Sequence, residues 1–371
     1  MKEAEDRAWE VVRRAYLERT PRTPRRTASR PVILALAVVV VAAIAAAGVT
    51  APGRALVHRV GEAVGVEHAS PALFSLPAGG RLLVVSTMRG GVWLVDAKGY
   101  KRKLGPYDDA QWSPHGLFIV ATQGNELLAL DSNGDIRWTL ARRDPLWPRW
   151  EGTRTDTRIA YVSRGALRVV AGDGTGDHVL DRFGGGIAPA WDPARLHTLA
   201  YYSGGAIVLR RDDGKLVWRR PIGVLPTAIA WSSDGRLLAV FSDKRVVVLD
   251  ASGRVVRTIS MLSAELLRGA FAPATHDLAV TVGLAGRSEI RLVDVDHPGT
   301  ARLLFAGPGR LGDLAWSPSG KWLLVTWPAA NQWVFLRGSR AHAVGNIGEQ
   351  FPRHDHLGPQ LELGDRWCCP E

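Results

Sequence analysis

The chain has 371 residues, with 47 Lys and Arg against 36 Asp and Glu, for a formal net charge of +11. Apolar residues make up 46% of it and only two residues are cysteines, which excludes a small fold held by a disulfide framework. The cations are overwhelmingly arginine, and with abundant Ala, Gly and Val this bias points to a GC-rich bacterial genome.

Residues 1–30 read as a basic cytoplasmic arm. Glu3 to Arg19 places Trp9, Val12 and Tyr16 on one side, with acids at the start and arginines toward the end, which suits a short amphipathic helix. Such a helix could dock a cytoplasmic protein or remain a partly ordered arm. Thr20 to Arg30, with Pro21 and Pro24, reads as a flexible basic linker. Val32 to Ala51 then carries no charge over a length that spans roughly 30 Å as a helix, so residues 31–51 are expected to form one transmembrane helix. Arg19, Arg22, Arg25, Arg26 and Arg30 flank it on one side, whereas Arg54 and Arg59 on the other are balanced by Glu62 and Glu67. The positive-inside rule puts residue 1 in the cytoplasm and the rest of the chain outside. A cleaved signal peptide is the competing reading, but the leader and apolar run are long for one and Pro52 would hinder cleavage. Residues 52–70 form a juxtamembrane linker, with Leu56, Val57, Val60, Ala63 and Val64 at helical spacing.

From residue 71 to 348 the chain repeats itself. The phrase Leu314-Ala315-Trp316-Ser317-Pro318-Ser319-Gly320 returns as Ala110 to Gly116 and as Ala230 to Gly235, with looser copies elsewhere. Its aromatic anchors are Phe74, Trp112, Trp150, Trp191, Trp231, Phe271 and Trp316, at successive spacings of 38, 38, 41, 40, 40 and 45. A period near forty marks a repeat architecture. After each anchor comes a β-rich run such as Leu82-Leu83-Val84-Val85, then a second run such as Val246 to Asp250, then an Asp/Gly turn. Short apolar runs bounded by Gly, Asp and Pro are strands joined by hairpins. Four per forty residues make one propeller blade. The expected fold is therefore all-β, a seven-bladed β-propeller, with six or eight blades as alternatives.

The Trp-Ser-Pro-x-Gly turn, the β run and the Asp-x-x-Gly hairpin together resemble the WD-repeat and TolB-like β-propeller families. Asp213 to Trp218 and Gly134 to Trp138 are similar to quinoprotein-type propeller repeats. The chain departs from the standard WD repeat in lacking the recurring Gly-His and Trp-Asp dipeptides. The resemblance implies that the strand entering each Trp-Ser-Pro turn is the innermost of its blade. All seven blades would then be complete in sequence order, with no shared closing strand. It implies no particular activity, because propellers host many.

After Val344 the repeat fades. Phe351-Pro352 could open an eighth unit, but the tail, residues 349–371, is expected to pack across the ring or its seam. Asp131 to Asp135 has the oxygen alternation of a calcium loop yet coincides with the hairpin turn of the other repeats, and it reads as that turn. Gly184-Gly185-Gly186 reads as a loop between blades. In the tail, His354, His356, Cys368 and Cys369 offer a zinc ligand set, a vicinal disulfide between Cys368 and Cys369, or free thiols.

No nucleophile elbow, P-loop, dinucleotide fingerprint or metalloprotease helix is present. No catalytic, cofactor-binding or metal-ligating residue is therefore assigned, and no cofactor is expected. Arg142, Arg143, Arg149, Arg154, Arg210, Arg211, Arg219 and Arg220 fall near blade edges, either as a solvated rim or as a basic face. The sum is a single-pass, membrane-anchored extracytoplasmic propeller that binds at its loop tops and central channel. Its partner would be an extracytoplasmic protein or an anionic envelope polymer, and not nucleic acid. An enzyme with a site in the channel, or a purely structural envelope protein, are the alternatives.

Overall fold

The computed structural model describes residues 75–86, 91–260, 265–297, 299, 301–338, 340–351, 361–362 and 367–369. The expected arm, transmembrane helix and juxtamembrane helix, together with the anchor Phe74, lie outside the described residues. Among those described, no helix is long and apolar enough to cross a membrane.

Seven antiparallel sheets follow one another along the chain. Blade 2 shows the plan, with strands Asp109–Trp112, Phe118–Gln123, Glu126–Asp131 and Ile136–Ala141 paired in sequence order. The first strands of blades 2 to 7 touch one another in turn around the centre. The fourth strands of blades 2, 4 and 5 are mostly exposed and form the outer edge.

The middle strands are continuous apolar runs because neighbouring sheets cover both of their faces, so the usual polar alternation of a half-buried strand is lost. On Phe118–Gln123, Ile119 and Ala121 pack against blade 1 while Val120 packs against blade 3. Each of the seven hydrophobic clusters among the described residues draws on two adjoining blades. One of them joins blade 7 (Leu324, Trp333, Phe335) to blade 1 (Leu82, Val84), so the ring is closed.

The repeated phrase now has a physical meaning. The buried Oγ atoms of Ser113, Ser232 and Ser317 accept the N–H five residues on, at 3.0, 3.0 and 3.1 Å, and so close the turn into the second strand. The anchor tryptophans reach backwards. Trp191, Trp231 and Trp316 donate their indole N–H to the carbonyls of Arg149 (2.8 Å), Ala190 (3.3 Å) and Ala270 (3.1 Å). Each acceptor immediately precedes the anchor of the previous blade. Trp150 is the exception, since its buried indole N–H has no partner among the described residues.

Blade 1 departs from expectation. Its second strand, Arg81–Ser86, takes its inner neighbour from the far end of the chain. Leu361 and Glu362 pair with Ser86 and Val85, and Trp367 and Cys368 pair with Leu82 and Arg81. A closing strand is therefore present, and of the two places expected for the tail, across the ring or at its seam, these residues take the seam, paired into blade 1. Trp367 stands opposite Leu82 just as Trp112 stands opposite Ile119 and Trp191 opposite Leu199. In register it is the anchor of blade 1, the role expected of Phe74. The reason is economy of pairing, because a ring closed by one strand from each end of the repeat region ties both ends into one hydrogen-bonded sheet. Phe351 opens no eighth unit and is buried between Trp93 and Trp333.

The indole bonds give a direct test. Trp191→Phe and Trp316→Phe each remove a donor from a part-buried carbonyl and should cost about 1 kcal/mol more than Trp150→Phe, which removes an unsatisfied N–H. Denaturant midpoints of the three variants measure the difference, and equal losses would contradict the anchoring role.

Candidate functional site

At the outer edge a second set of donors links blades 1 to 6 in turn. Arg102 on the fourth strand of blade 1 donates to the Ser132 and Asn133 carbonyls of blade 2, both at 2.6 Å. Trp138 of blade 2 donates to Gly172 O of blade 3 (2.9 Å), and a ring nitrogen of His178 in blade 3 meets Asp212 O of blade 4 at 2.9 Å. Trp218 of blade 4 donates to Ala251 O of blade 5 (3.1 Å), and Arg257 of blade 5 to the carbonyls of Asp294, Val295 and His297 in blade 6. All five latch residues occupy one register position. They pair with Leu94, Ala129, Val169, Leu209 and Val248, each two residues before its blade's hairpin turn.

Blade 6 breaks the series. Arg302 pairs with Leu292, two residues before Asp294, and so holds the latch position. It has no hydrogen-bond or ion-pair partner among the described residues. Between blades 6 and 7 lies a cleft of about 200 Å³. Leu292, Leu304, Leu323, Leu336 and the flank of Trp316 give it apolar walls. Arg302 and Lys321, both exposed, stand at its rim with the half-buried Asp277. Lys321, like Arg302, has no partner among the described residues. Gly320 lets the two turns meet there, since its φ is +67° and a Cβ would come within 2.9 Å of the Pro273 carbonyl oxygen.

Two histidines the repeat analysis did not single out sit at inter-blade seams. His197, which ends the first turn of blade 4, meets Glu151 (2.6 Å) and Asp156 (3.0 Å) of blade 3 through its two ring nitrogens. His276, at the matching place in blade 6, meets Asp296 (2.7 Å) of its own blade and Asp234 (3.1 Å) of blade 5. Burial disfavours the charged imidazolium in both, but the carboxylates outweigh it and hold both above the ordinary histidine value. Burial also raises Glu151, against the pull of His197. The signal in the sequence was a histidine closing the aromatic-x-Pro turn in repeats 4 and 6 only.

The expected arginine rim is mostly occupied by internal contacts. Arg142 and Arg168 converge on Asp177, which also accepts from the Tyr161 hydroxyl at 2.5 Å. Burial followed by that carboxylate pushes Tyr161 up to about 12. Arg210 meets the Tyr201 hydroxyl (3.0 Å) and the Gly214 carbonyl (2.7 Å). Arg219 donates to the Ser203 and Gly204 carbonyls, Arg220 to Gly253 O, and Arg211 pairs with Asp213. Arg149 donates to the Pro148 carbonyl and lies 4.0 Å from Asp109. Arg143 and Arg154 are exposed.

The remaining sequence candidates separate in space. Asp131 Oδ1 accepts the N–H groups of Asn133 and Asp135, a self-closed turn, and no group of three or more metal-binding side chains occurs among the described residues. Cys368 and Cys369 are bonded to one another and lie against Gly116, while His354 and His356 are outside the described residues. Gly184 to Gly186 form the loop from blade 3 to blade 4.

No family model and no curated protein matches the chain. Among solved structures, a candidate 6-phosphogluconolactonase from Bacteroides uniformis superposes with a TM-score of 0.54 at 15% identity, over 79% of this chain and 98% of that one. Kluyveromyces lactis Hsv2 gives 0.53 at 13% identity, over 70% and 90%. The β-propeller domain of Cps50 (Swd1) from Myceliophteria thermophila gives 0.50 at 13% identity, over 63% and 83%. The likeness is one of fold, a WD-repeat-like propeller.

The seam histidines predict a pH dependence. Because their folded values are raised, the stability they add is complete below about pH 6.5 and is lost as pH rises through the raised values. Denaturant midpoints should therefore fall as pH rises above about 6.5, by an amount worth roughly 1 kcal/mol or less per histidine. The double variant His197→Gln, His276→Gln should flatten that slope, and an unchanged slope would remove the histidines as its source.

Proposed function

We propose that this chain is a membrane-held binding module of a bacterial envelope. In this reading, residues 31–51 cross the bilayer once, residues 1–30 stay in the cytoplasm as a site for a cytoplasmic protein, and the propeller works outside. The single observation that carries the binding role is the open seam between blades 6 and 7, where a cleft with an apolar wall is lined also by two cations that have no partner among the described residues. Several other arginines and indoles of the ring are engaged by carbonyls of neighbouring blades. The anchoring part rests on the uncharged run from Val32 to Ala51 and on the five arginines that flank it on one side.

An enzyme with a site in the channel has less behind it. His197 and His276, the histidines best placed among carboxylates, have both ring nitrogens held by partners within the ring. General acid–base work needs such a group within reach of a substrate proton.

Reporter fusions test the topology. Alkaline phosphatase joined after Glu371 should be active and a fluorescent protein joined before Met1 should fluoresce in the same bacterial host. Deleting residues 32–51 should release the protein from the membrane fraction. The opposite pair of reporter signals would reverse the orientation and end this proposal.

A further inference from the structure

We infer that the cleft between blades 6 and 7 docks an extended acidic segment of a protein partner that inserts one large apolar side chain, an inference that rests on the binding-module reading above. Three observations converge on that occupant. First, size: about 200 Å³ is below the roughly 300–1,000 Å³ of pockets that take drug-sized ligands, and suits a single bulky side chain. Second, the lining pairs polar groups with an apolar wall of leucines and the flank of Trp316, whose indole N–H is already bound to Ala270 O and so offers an occupant no donor. Third, the rim carries two unpartnered cations, Arg302 and Lys321, against one carboxylate, Asp277.

The latch series says what the partner supplies. At five seams, the residue in Arg302's register position meets a backbone carbonyl of the next blade. Arg302 meets none, although its planar fork of donors is the same as that of Arg102 and Arg257. An incoming carboxylate would complete the missing latch, with Lys321 as a second contact from the blade 7 side. Asp277 is placed to accept an N–H from the extended backbone of the same segment. A bare polyanion would satisfy the two cations and leave the apolar walls uncovered, whereas an acidic peptide with an apolar anchor satisfies both. A pocket with an apolar wall beside charged groups lets one buried side chain supply much of the binding energy.

The test uses the full chain in nanodiscs of zwitterionic lipid, with a fluorescein-labelled acidic pentapeptide carrying a central phenylalanine as the probe. Fluorescence polarisation should show saturable binding, weakened at least about tenfold in the double variant Arg302→Glu, Lys321→Glu. It should weaken comparably when alanine replaces the central phenylalanine. Arg154→Glu, an exposed change at a distance, should have little effect. Three results would each overturn the inference: no saturable binding, undiminished binding by the double variant, or equal binding of the alanine-centred peptide, which would indicate mere polyanion attraction.

Crosslinking in intact cells, with the wild-type propeller and the double variant as baits, separates this from failure of the wider reading. A partner captured equally by both leaves the binding module standing and removes the cleft. Capture by neither removes the module and the cleft with it.

Discussion

A propeller blade cannot bury either face alone, and everything in this ring follows from that constraint. Each sheet is apolar on both sides, so stacking supplies the driving force, but apolar contact is non-directional and sets neither the angle nor the register between sheets. Direction comes from hydrogen bonds across the seams. An indole near the centre reaches back to the preceding blade, and an arginine, indole or imidazole at the edge reaches forward to the next. Both sets use backbone carbonyls as acceptors, on the inner strand in the first set and mainly in the hairpin turn in the second, which the backbone presents at a fixed place whatever the side chains are. That independence allows repeats of quite different sequence to share one geometry.

The arginine excess takes on a different meaning in this light. A chain with so many arginines and a net charge of +11 invites an electrostatic account of partner binding. Several of the guanidinium groups, however, face carbonyls or buried carboxylates within the ring, as Arg102, Arg220 and Arg257 do at the edge and Arg168 does on Asp177. Arginine suits this work because its fork spans two acceptors at once, as Arg102 shows with two adjacent carbonyls. What marks Arg302 at the seam between blades 6 and 7 is the absence of that engagement among the described residues, not a greater density of charge.

The period, the strand runs and the turn phrase were legible in the sequence because they act within a blade. Ser113 closes its own turn, and the apolar run that follows is short and local. The closing strand was not legible, because it pairs with residues about 280 positions earlier and so leaves no period. A trace existed in Trp367-Cys368-Cys369-Pro370, which follows the shape of the Trp-Ser-Pro turn with cysteines where serine is usual. Gly116 confirms the analogy, since it rests against Cys368 and Cys369 as Gly320 rests against Pro273. The seam histidines could have been noticed by aligning repeats 4 and 6, yet their partners lie largely in neighbouring blades. The cleft was beyond sequence reading altogether, because Arg302 looks like any other outer-strand arginine until its missing acceptor is seen.

Closure by residues 361–368 also sets an order of events at the ribosome. The strand Arg81–Ser86, with four consecutive buried apolar side chains, is among the first of the ring to be synthesised. Its inner edge has no partner until Leu361 and Trp367 have been made. For most of translation the nascent chain therefore displays an unpaired apolar strand edge, a template for misplaced pairing with another chain. A factor that shields emerging edges, or fast delivery of the finished chain, would matter more for this protein than for one whose blades are each complete as they appear.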